Sequence, residues 1–104
     1  MNRLSILLQL EKQKPNDDFL LFAIGLEYIS VENWSKAKDY LERLREKHPD
    51  YTATYLHLGK LYEQLNENEK AKDCYENGLI ITKEKNEQKN WRELNEALTN
   101  LLYD

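Results

Sequence analysis

The sequence predicts an all-α fold of stacked helix–turn–helix repeats, and three observations predict it. Residues Asp18 to Tyr28 are matched 34 positions later by residues Thr52 to Tyr62. Apolar residues recur at the three- and four-residue spacing of one helix face. The 104 residues include only three glycines and two prolines, which suits a mostly helical chain. Self-similarity at one fixed period indicates a repeat protein.

The two copies carry the same kinds of residue at matched positions. The first copy has Leu21, Ile24, Gly25, Tyr28, Ala37, Leu41 and Pro49, and the second has Tyr55, Leu58, Gly59, Tyr62, Ala71 and Tyr75. This pattern resembles the tetratricopeptide repeat, a helix–turn–helix unit. The resemblance implies a right-handed α-solenoid of about six helices. It places the large residue and the glycine on the first helix of each repeat and the Ala-x-x-x-large pair on the second, and the proline ends the unit.

The N-terminal segment resembles the second half of a repeat. Leu7, Leu10 and Pro15 lie 34 residues before their counterparts in the first full copy. We therefore expect a helix over residues 1–14 whose apolar and solvent-facing sides separate. The apolar stripe is predicted to hold Leu4, Leu7, Leu8 and Leu10, and the solvent face Gln9, Glu11, Lys12 and Lys14.

The two full repeats are expected to form four helices. Asn16, Asp17 and Asp18 supply a capping side chain and negative charge for a helix that ends near Ser30. A third helix is predicted from Trp34 to Lys47. Asp50 is the expected cap of a fourth helix, over residues 51–65. A fifth helix starts near residue 68 and is predicted to run on past the usual end, because Lys83 stands where a proline would end the unit.

The last segment is predicted to form a closing helix. Its apolar residues recur at helical spacing and form one stripe, while the rest of the helix surface is polar. The stripe consists of Trp91, Leu94, Leu98, Leu101 and Leu102. They resemble the first helix of a repeat displaced by two residues. The expected organisation is one domain of 1–104, divided into a half-repeat (1–15), repeat 1 (18–51), repeat 2 (52–85) and a C-terminal cap (86–104).

Several kinds of function are not supported by the composition. The net charge of −4 and a pI near 5.2 argue against general binding to nucleic acid or anionic lipid. Apolar runs are far shorter than the roughly 18 residues of a membrane span, and no secretory signal is recognisable, so a cytoplasmic protein is expected. The single cysteine, Cys74, is expected to be buried core.

The sequence contains no pattern of an enzyme or of a bound cofactor. Phosphate-binding loops, zinc-ligand spacings and nucleophile elbows are absent from it. His48 and His57 lie nine residues apart without further ligands at helical spacing, so no metal site is expected. Ion pairs spaced four apart, Lys38 with Glu42 and Asp39 with Arg43, are interpreted as exposed helix surface.

The helix that opens repeat 1 carries a second apolar stripe. We call its four residues, spaced 3, 4 and 3, the apolar strip: Phe19, Phe22, Leu26 and Ile29. The resemblance implies that such a stripe faces a concave groove in which peptides or partner helices bind. On repeat 2 the equivalent residues are Ala53, Leu56, Lys60 and Glu63, with His57 beside them, so the groove is expected to be apolar at one end and charged at the other.

The sequence leaves two functions open for the strip. The first is an adaptor that binds a peptide or an amphipathic helix of another protein, and the second is a structural homodimer formed through the same strip. A structural alternative stands beside both, in which a cap folds over Phe19 and Phe22 as ordinary core. Trp34 is interpreted as the residue that closes a turn and Trp91 as the anchor of the cap.

Overall fold

The computed structural model describes residues 2–103, and all regular elements in this range are helices. They are α1 (Arg3–Gln13), α2 (Asp18–Ser30), α3 (Trp34–Lys47), α4 (Ala53–Gln64), α5 (Asn68–Glu84) and α6 (Gln88–Tyr103). The predicted all-α class and the number of helices are confirmed. The predicted extension of the fifth helix is also confirmed, since α5 has 17 residues.

The chain forms two compact units that divide between Tyr51 and Thr52. The first unit contains α1, α2 and α3, and the second contains α4, α5 and α6. The same peptide bond separates the two full repeats in the sequence. None of the helices in the described part of the chain is both long enough and apolar enough to cross a bilayer.

In the first unit α2 packs against both α1 and α3. The α2–α3 contact is close because Gly25 has no side chain: a Cβ there would stand 2.8 Å from Cδ2 of Leu41. Leu7 of α1 is buried on the other side, where it clusters with Leu20, Ala23 and Ile24 of α2. Two faces of α2 are therefore used for packing.

The second unit repeats the close glycine contact. A Cβ at Gly59 of α4 would lie 2.7 Å from Cδ1 of Tyr75 on α5. Gly78 of α5 approaches two helices, since its Cβ would stand 2.7 Å from the Cβ of Tyr55 and 2.9 Å from Cδ1 of Leu94 on α6. Cys74 is fully buried as predicted, and its thiol donates to the carbonyl of Tyr55 at 3.4 Å.

The turns between helices use a left-handed residue before the next helix. In the turns after α1, α2, α4 and α5 these residues are Asn16, Glu32, Asn66 and Asn86, respectively, and their φ angles lie between 58° and 64°. Asparagine tolerates this conformation better than most residues because its short amide can bond locally. As predicted, Asp17 caps α2, and its carboxylate accepts from the amide of Leu20 at 3.0 Å.

Three predicted details of the first five helices are wrong. Helix α4 starts at Ala53, and its N-cap is Thr52, which makes no capping side-chain bond, in place of Asp50. Leu10 is 43% exposed although it was placed in the apolar stripe, because α1 lacks a helix on that side within the unit. Glu11 does not face solvent freely: its side chain lies against α3.

Glu11 holds two side chains of α3. The hydroxyl of Tyr40 donates to its carboxylate at 2.8 Å, and Nη1 of Arg43 donates at 3.0 Å. The guanidinium of Arg43 also lies 4.7 Å from the centre of the Tyr40 ring. Sequence spacing within α3 pairs Arg43 with Asp39, but a contact to another helix cannot be found from spacing within one.

This network predicts a pH dependence of stability. Burial, followed by the hydrogen bond to Glu11, raises the pKa of Tyr40 from 10.0 to about 12. Because this pKa is higher in the folded state, the protonated phenol stabilises the fold below about pH 10, and that contribution is lost as pH rises toward 12. Urea unfolding of the parent and of Tyr40→Phe should show the parent losing more of its unfolding free energy across this window. Parallel losses would contradict the assignment.

Candidate functional site

Helix α2 leaves the apolar strip partly open while it buries its other apolar residues. Leu21 and Ile24 are fully buried, whereas Phe19 is 56% exposed. Phe22, Leu26 and Ile29 are each half-buried. The 3, 4, 3 spacing keeps the four side chains on one face, because it follows the helical period. The strip is therefore an apolar face that is exposed at Phe19 and half-buried along the rest of its length.

The beginning of the strip lies beside an aromatic ring and two carboxylates. The ring of Phe22 is 5.4 Å from that of Tyr51, at an angle of 48°. Burial, and then the negative charges of Asp18 and Asp17, raise the pKa of the Tyr51 hydroxyl. This end of the strip therefore combines apolar rings with negative potential, whereas Leu26 and Ile29 continue it as an aliphatic surface.

The predicted groove residues of the second unit form a different surface. Leu56 and His57 are half-buried and line a small cavity of about 120 Å³ with Asn90 and Glu93 of α6. Burial, and then the charge of Lys60, lower the pKa of His57, while Glu93 acts in the opposite direction. His57 therefore favours its neutral form, in which the ring can both donate and accept.

Glu63, although predicted as a groove residue, has a packing role. Its carboxylate accepts a hydrogen bond from the hydroxyl of Tyr75, the residue that packs on Gly59. Burial and this hydrogen bond raise the pKa of Tyr75. Glu63 therefore fixes the orientation of the Tyr75 ring between α4 and α5, and Lys60, which is exposed, is the freer of the two charges.

Sequence reasoning missed the part of this surface that α6 provides. Two wider cavities, of about 240 and 350 Å³, extend along α4 and α6 past Lys60. Besides the buried Leu94, the α6 residues that line them or the smaller cavity are Asn90, Glu93, Glu96, Ala97 and Asn100. Asn90, Glu93, Ala97 and Asn100 have the same 3, 4, 3 spacing as the apolar strip. This spacing is the sequence signal that could have predicted them, but the apolar stripe of α6 is the stronger pattern.

The residues of the repeat signature lie where helices meet. All are buried except Tyr28, which is half-buried, and Pro49, which is exposed after the end of α3; the buried ones are Leu21, Gly25, Ala37, Leu41, Tyr55, Gly59, Tyr62, Ala71 and Tyr75. The tetratricopeptide repeat model matches residues 28–90, which is more than half of the chain. The chain belongs to the tetratricopeptide repeat family.

Solved structures of this family are similar over most of the chain. A crystal structure of a tetratricopeptide repeat domain protein from Salinibacter ruber has a TM-score of 0.79 and 39% identity, covering 82% of this chain and 94% of that one. A solution structure of such a protein from the same organism has the same score and identity, covering 84% and 88%. A Bordetella parapertussis protein shares the fold, with a TM-score of 0.84, 22% identity and coverage of 98% and 89%. No curated protein sequence matches.

Membership in the tetratricopeptide repeat family gives the general activity. Domains of this family are generally protein–protein interaction modules and are typically non-catalytic, and the matches include no enzyme family. In residues 2–103 no group of three or more His, Cys, Asp or Glu side chains could hold a metal ion. Nε2 of His48 lies 2.6 Å from the carbonyl oxygen of Asn16, so this histidine joins two turns of the repeat domain.

Both tryptophans of the repeat domain lie at helix beginnings. Trp34 is the first residue of α3, and Trp91 lies in the first turn of α6; both are half-buried. Beside Trp91 is an open cavity of about 430 Å³, lined also by Thr82, Lys83 and Arg92. Nearby, Glu87 accepts from the hydroxyl of Thr52 at 2.6 Å, and this bond contributes most to lowering the pKa of Glu87.

Proposed function

We propose that the chain is an adaptor that binds a peptide or an amphipathic helix of another protein along the apolar strip. The observation that carries the proposal is that four large apolar side chains share a single face of α2, with Phe19 more than half exposed and the other three half-buried. Contiguous exposed apolar surface of this kind normally marks an interaction site. An amphipathic helix would place residues at matching i, i+3, i+4 and i+7 positions against it.

The size of the strip sets the expected affinity. Each large apolar side chain contributes about 1.5–3 kcal/mol when it is fully buried. Three of the four are already half-buried, so the remaining gain is smaller for them. Association costs several kcal/mol, which leaves a complex of about micromolar dissociation constant. The expected partner interaction is therefore moderate and reversible.

The second unit offers a contact surface of different chemistry. Leu56 and His57 provide a small apolar and hydrogen-bonding site, and Lys60 provides an exposed positive charge. The amides of Asn90 and Asn100 can each donate to and accept from a peptide backbone. Such groups contribute more to selectivity than to affinity. A ligand whose polar groups do not match them would lose hydrogen bonds to water on binding without forming new ones.

The strip is tested by adding a charge to it. Leu26→Glu and Phe19→Glu should each weaken partner binding at least about tenfold, because a carboxylate cannot be buried against an apolar partner without a large desolvation cost. Proteins captured from the source cell by the parent chain should be lost with both variants. Ile80→Glu, which changes an exposed aliphatic residue of α5, is the matched control and should retain them.

Measurements of mass and folding separate the remaining alternatives. If the strip instead forms a homodimer, light scattering will show a dimer for the parent and a monomer for both strip variants. Circular dichroism should show unchanged helical content for Phe19→Glu, whose side chain is mostly exposed. If Phe19→Glu and Leu26→Glu both unfold the chain, the strip belongs to the core and the proposal is wrong.

A further inference from the structure

The outer face of α1 exposes apolar residues at positions that are more buried in the other second helices of the repeats. Leu10 is 43% exposed, while Leu44, 34 residues later, is fully buried and Gly78, a further 34 later, is buried. Ile6 is 46% exposed, while at the matching positions Tyr40 of α3 is half-buried and Cys74 of α5 is fully buried. Within residues 2–103 no first helix covers these positions of α1 in the way that α2 covers α3 and α4 covers α5.

Helix α6 shows the opposite deficiency. It resembles the first helix of a repeat, with Trp91, Asn95 and Leu98 each 36 residues after Tyr55, Gly59 and Tyr62. Those three residues of α4 are covered by α5 and are buried. On α6, Trp91 and Leu98 are only half-buried and Asn95 is exposed. No helix of the described part of the chain follows α6 to cover this face, and the 430 Å³ cavity opens beside Trp91.

The two deficiencies are complementary in register. Within the second unit, the side chain of Tyr55 packs on Gly78, whose Cβ would stand 2.7 Å from that of the tyrosine. The residue that matches Tyr55 on α6 is Trp91, and the residue that matches Gly78 on α1 is Leu10. A helix like α1 laid on α6 in the orientation of a repeat would thus bring Leu10 to the cavity beside Trp91. Ile6, which matches Cys74, would face the same residue, because Cys74 bonds to the carbonyl of Tyr55.

We propose that a second copy of this chain is the occupant: the outer face of α1 in one copy packs on the outer face of α6 in the next, and the two half-repeats complete one repeat. The two faces are different, so the contact is heterologous and leaves one α1 face and one α6 face free at the ends of every open assembly. Association then continues beyond a dimer into longer head-to-tail chains or a closed ring. It does not use the apolar strip.

The same comparison predicts that the association is weak. Asn95 occupies the position of Gly59, where the absence of a side chain lets Tyr75 of the second helix approach closely. An asparagine side chain there keeps α1 of the next copy further away, so fewer atoms come into contact. At the position of α1 that matches the buried Ala37 of α3 and Ala71 of α5 stands Arg3, whose long side chain is largely exposed. Assembly is therefore expected at high protein concentration only.

The first test measures mass against concentration for the parent chain and for one variant of each face. Sedimentation from about 10 µM to about 1 mM covers the range in which such a small interface would form. The parent should exceed the dimer mass at the upper end. Leu10→Glu on α1 and Asn95→Arg on α6 should each weaken association at least about tenfold. Both positions are exposed, and circular dichroism should show folded variants.

The second test mixes the two variants. Leu10→Glu retains an intact α6 face, and Asn95→Arg retains an intact α1 face, so one good contact forms between them. The mixture should reach a 1:1 dimer and no larger species, although each variant alone is monomeric. Ile80→Glu is the control with a substituted aliphatic residue of similar exposure, and it should assemble as the parent does.

Distinct outcomes would overturn this proposal without affecting the adaptor function. A parent chain that is monomeric at about 1 mM has no such interface. Association of either single variant equal to that of the parent places the contact elsewhere, and a mixture that stays monomeric shows that the two faces are not partners. If Leu26→Glu abolishes assembly while Leu10→Glu does not, the copies associate through the apolar strip instead.

Discussion

Replacing Gly59 with leucine is expected to lower the free energy of unfolding by about 1–3 kcal/mol, because the side chain would overpack the contact between α4 and α5. The first added atom already collides with the ring of Tyr75, lying 2.7 Å from its Cδ1. That ring is fully buried, and its hydroxyl is held by Glu63, so it cannot rotate away. Chemical denaturation monitored by circular dichroism measures the loss.

Gly25 provides an informative comparison with Gly59. A Cβ at Gly25 meets the terminal Cδ2 of Leu41 at 2.8 Å, and a leucine side chain can change rotamer where a planar ring cannot. Gly25→Ala should therefore cost less than Gly59→Ala. Glu42→Ala on α3 is the control and should change stability by only a few tenths of a kcal/mol. A harmless Gly59→Leu together with a severe Glu42→Ala would contradict the helix pairing.

Helices and their pairing could be predicted from the sequence because both depend on local, periodic information. The 34-residue period predicts that Gly25 and Gly59 are packing contacts, since a glycine inside a helix costs about 1 kcal/mol relative to alanine and needs a packing reason. The limits of α3 were predicted as observed, from Trp34 to Lys47. The apolar strip was found in the same way, as a second period on α2.

Contacts between polar side chains of different helices could not be predicted in this way. The bonds from Tyr40 and Arg43 to Glu11 join residues about 30 positions apart, and no period relates α1 charges to α3. The polar residues of α6 that line the second unit's surface were missed for a related reason. An apolar stripe explains why a helix packs, but it does not indicate what its other face meets.

Helix α6 shows how one apolar residue can fix a closing helix. Of its predicted stripe only Leu94 is buried, while Trp91, Leu98 and Leu101 are half-buried and Leu102 is 48% exposed. Leu94 reaches α5 directly, since its Cδ1 would stand 2.9 Å from a Cβ at Gly78. The absence of a side chain at Gly78 thus gives Leu94 its place, and we expect this contact to contribute most to holding α6.

Truncating this anchor is the second substitution with a large expected effect. Leu94→Ala should lower the free energy of unfolding by about 2–5 kcal/mol, because it removes buried methyl groups and leaves a cavity between α5 and α6. Leu102→Ala makes the same chemical change on the same helix at an exposed position and should cost less than about 0.5 kcal/mol. Urea unfolding of both variants checks the difference. Equal losses would mean that α6 is held along its whole stripe and not by Leu94.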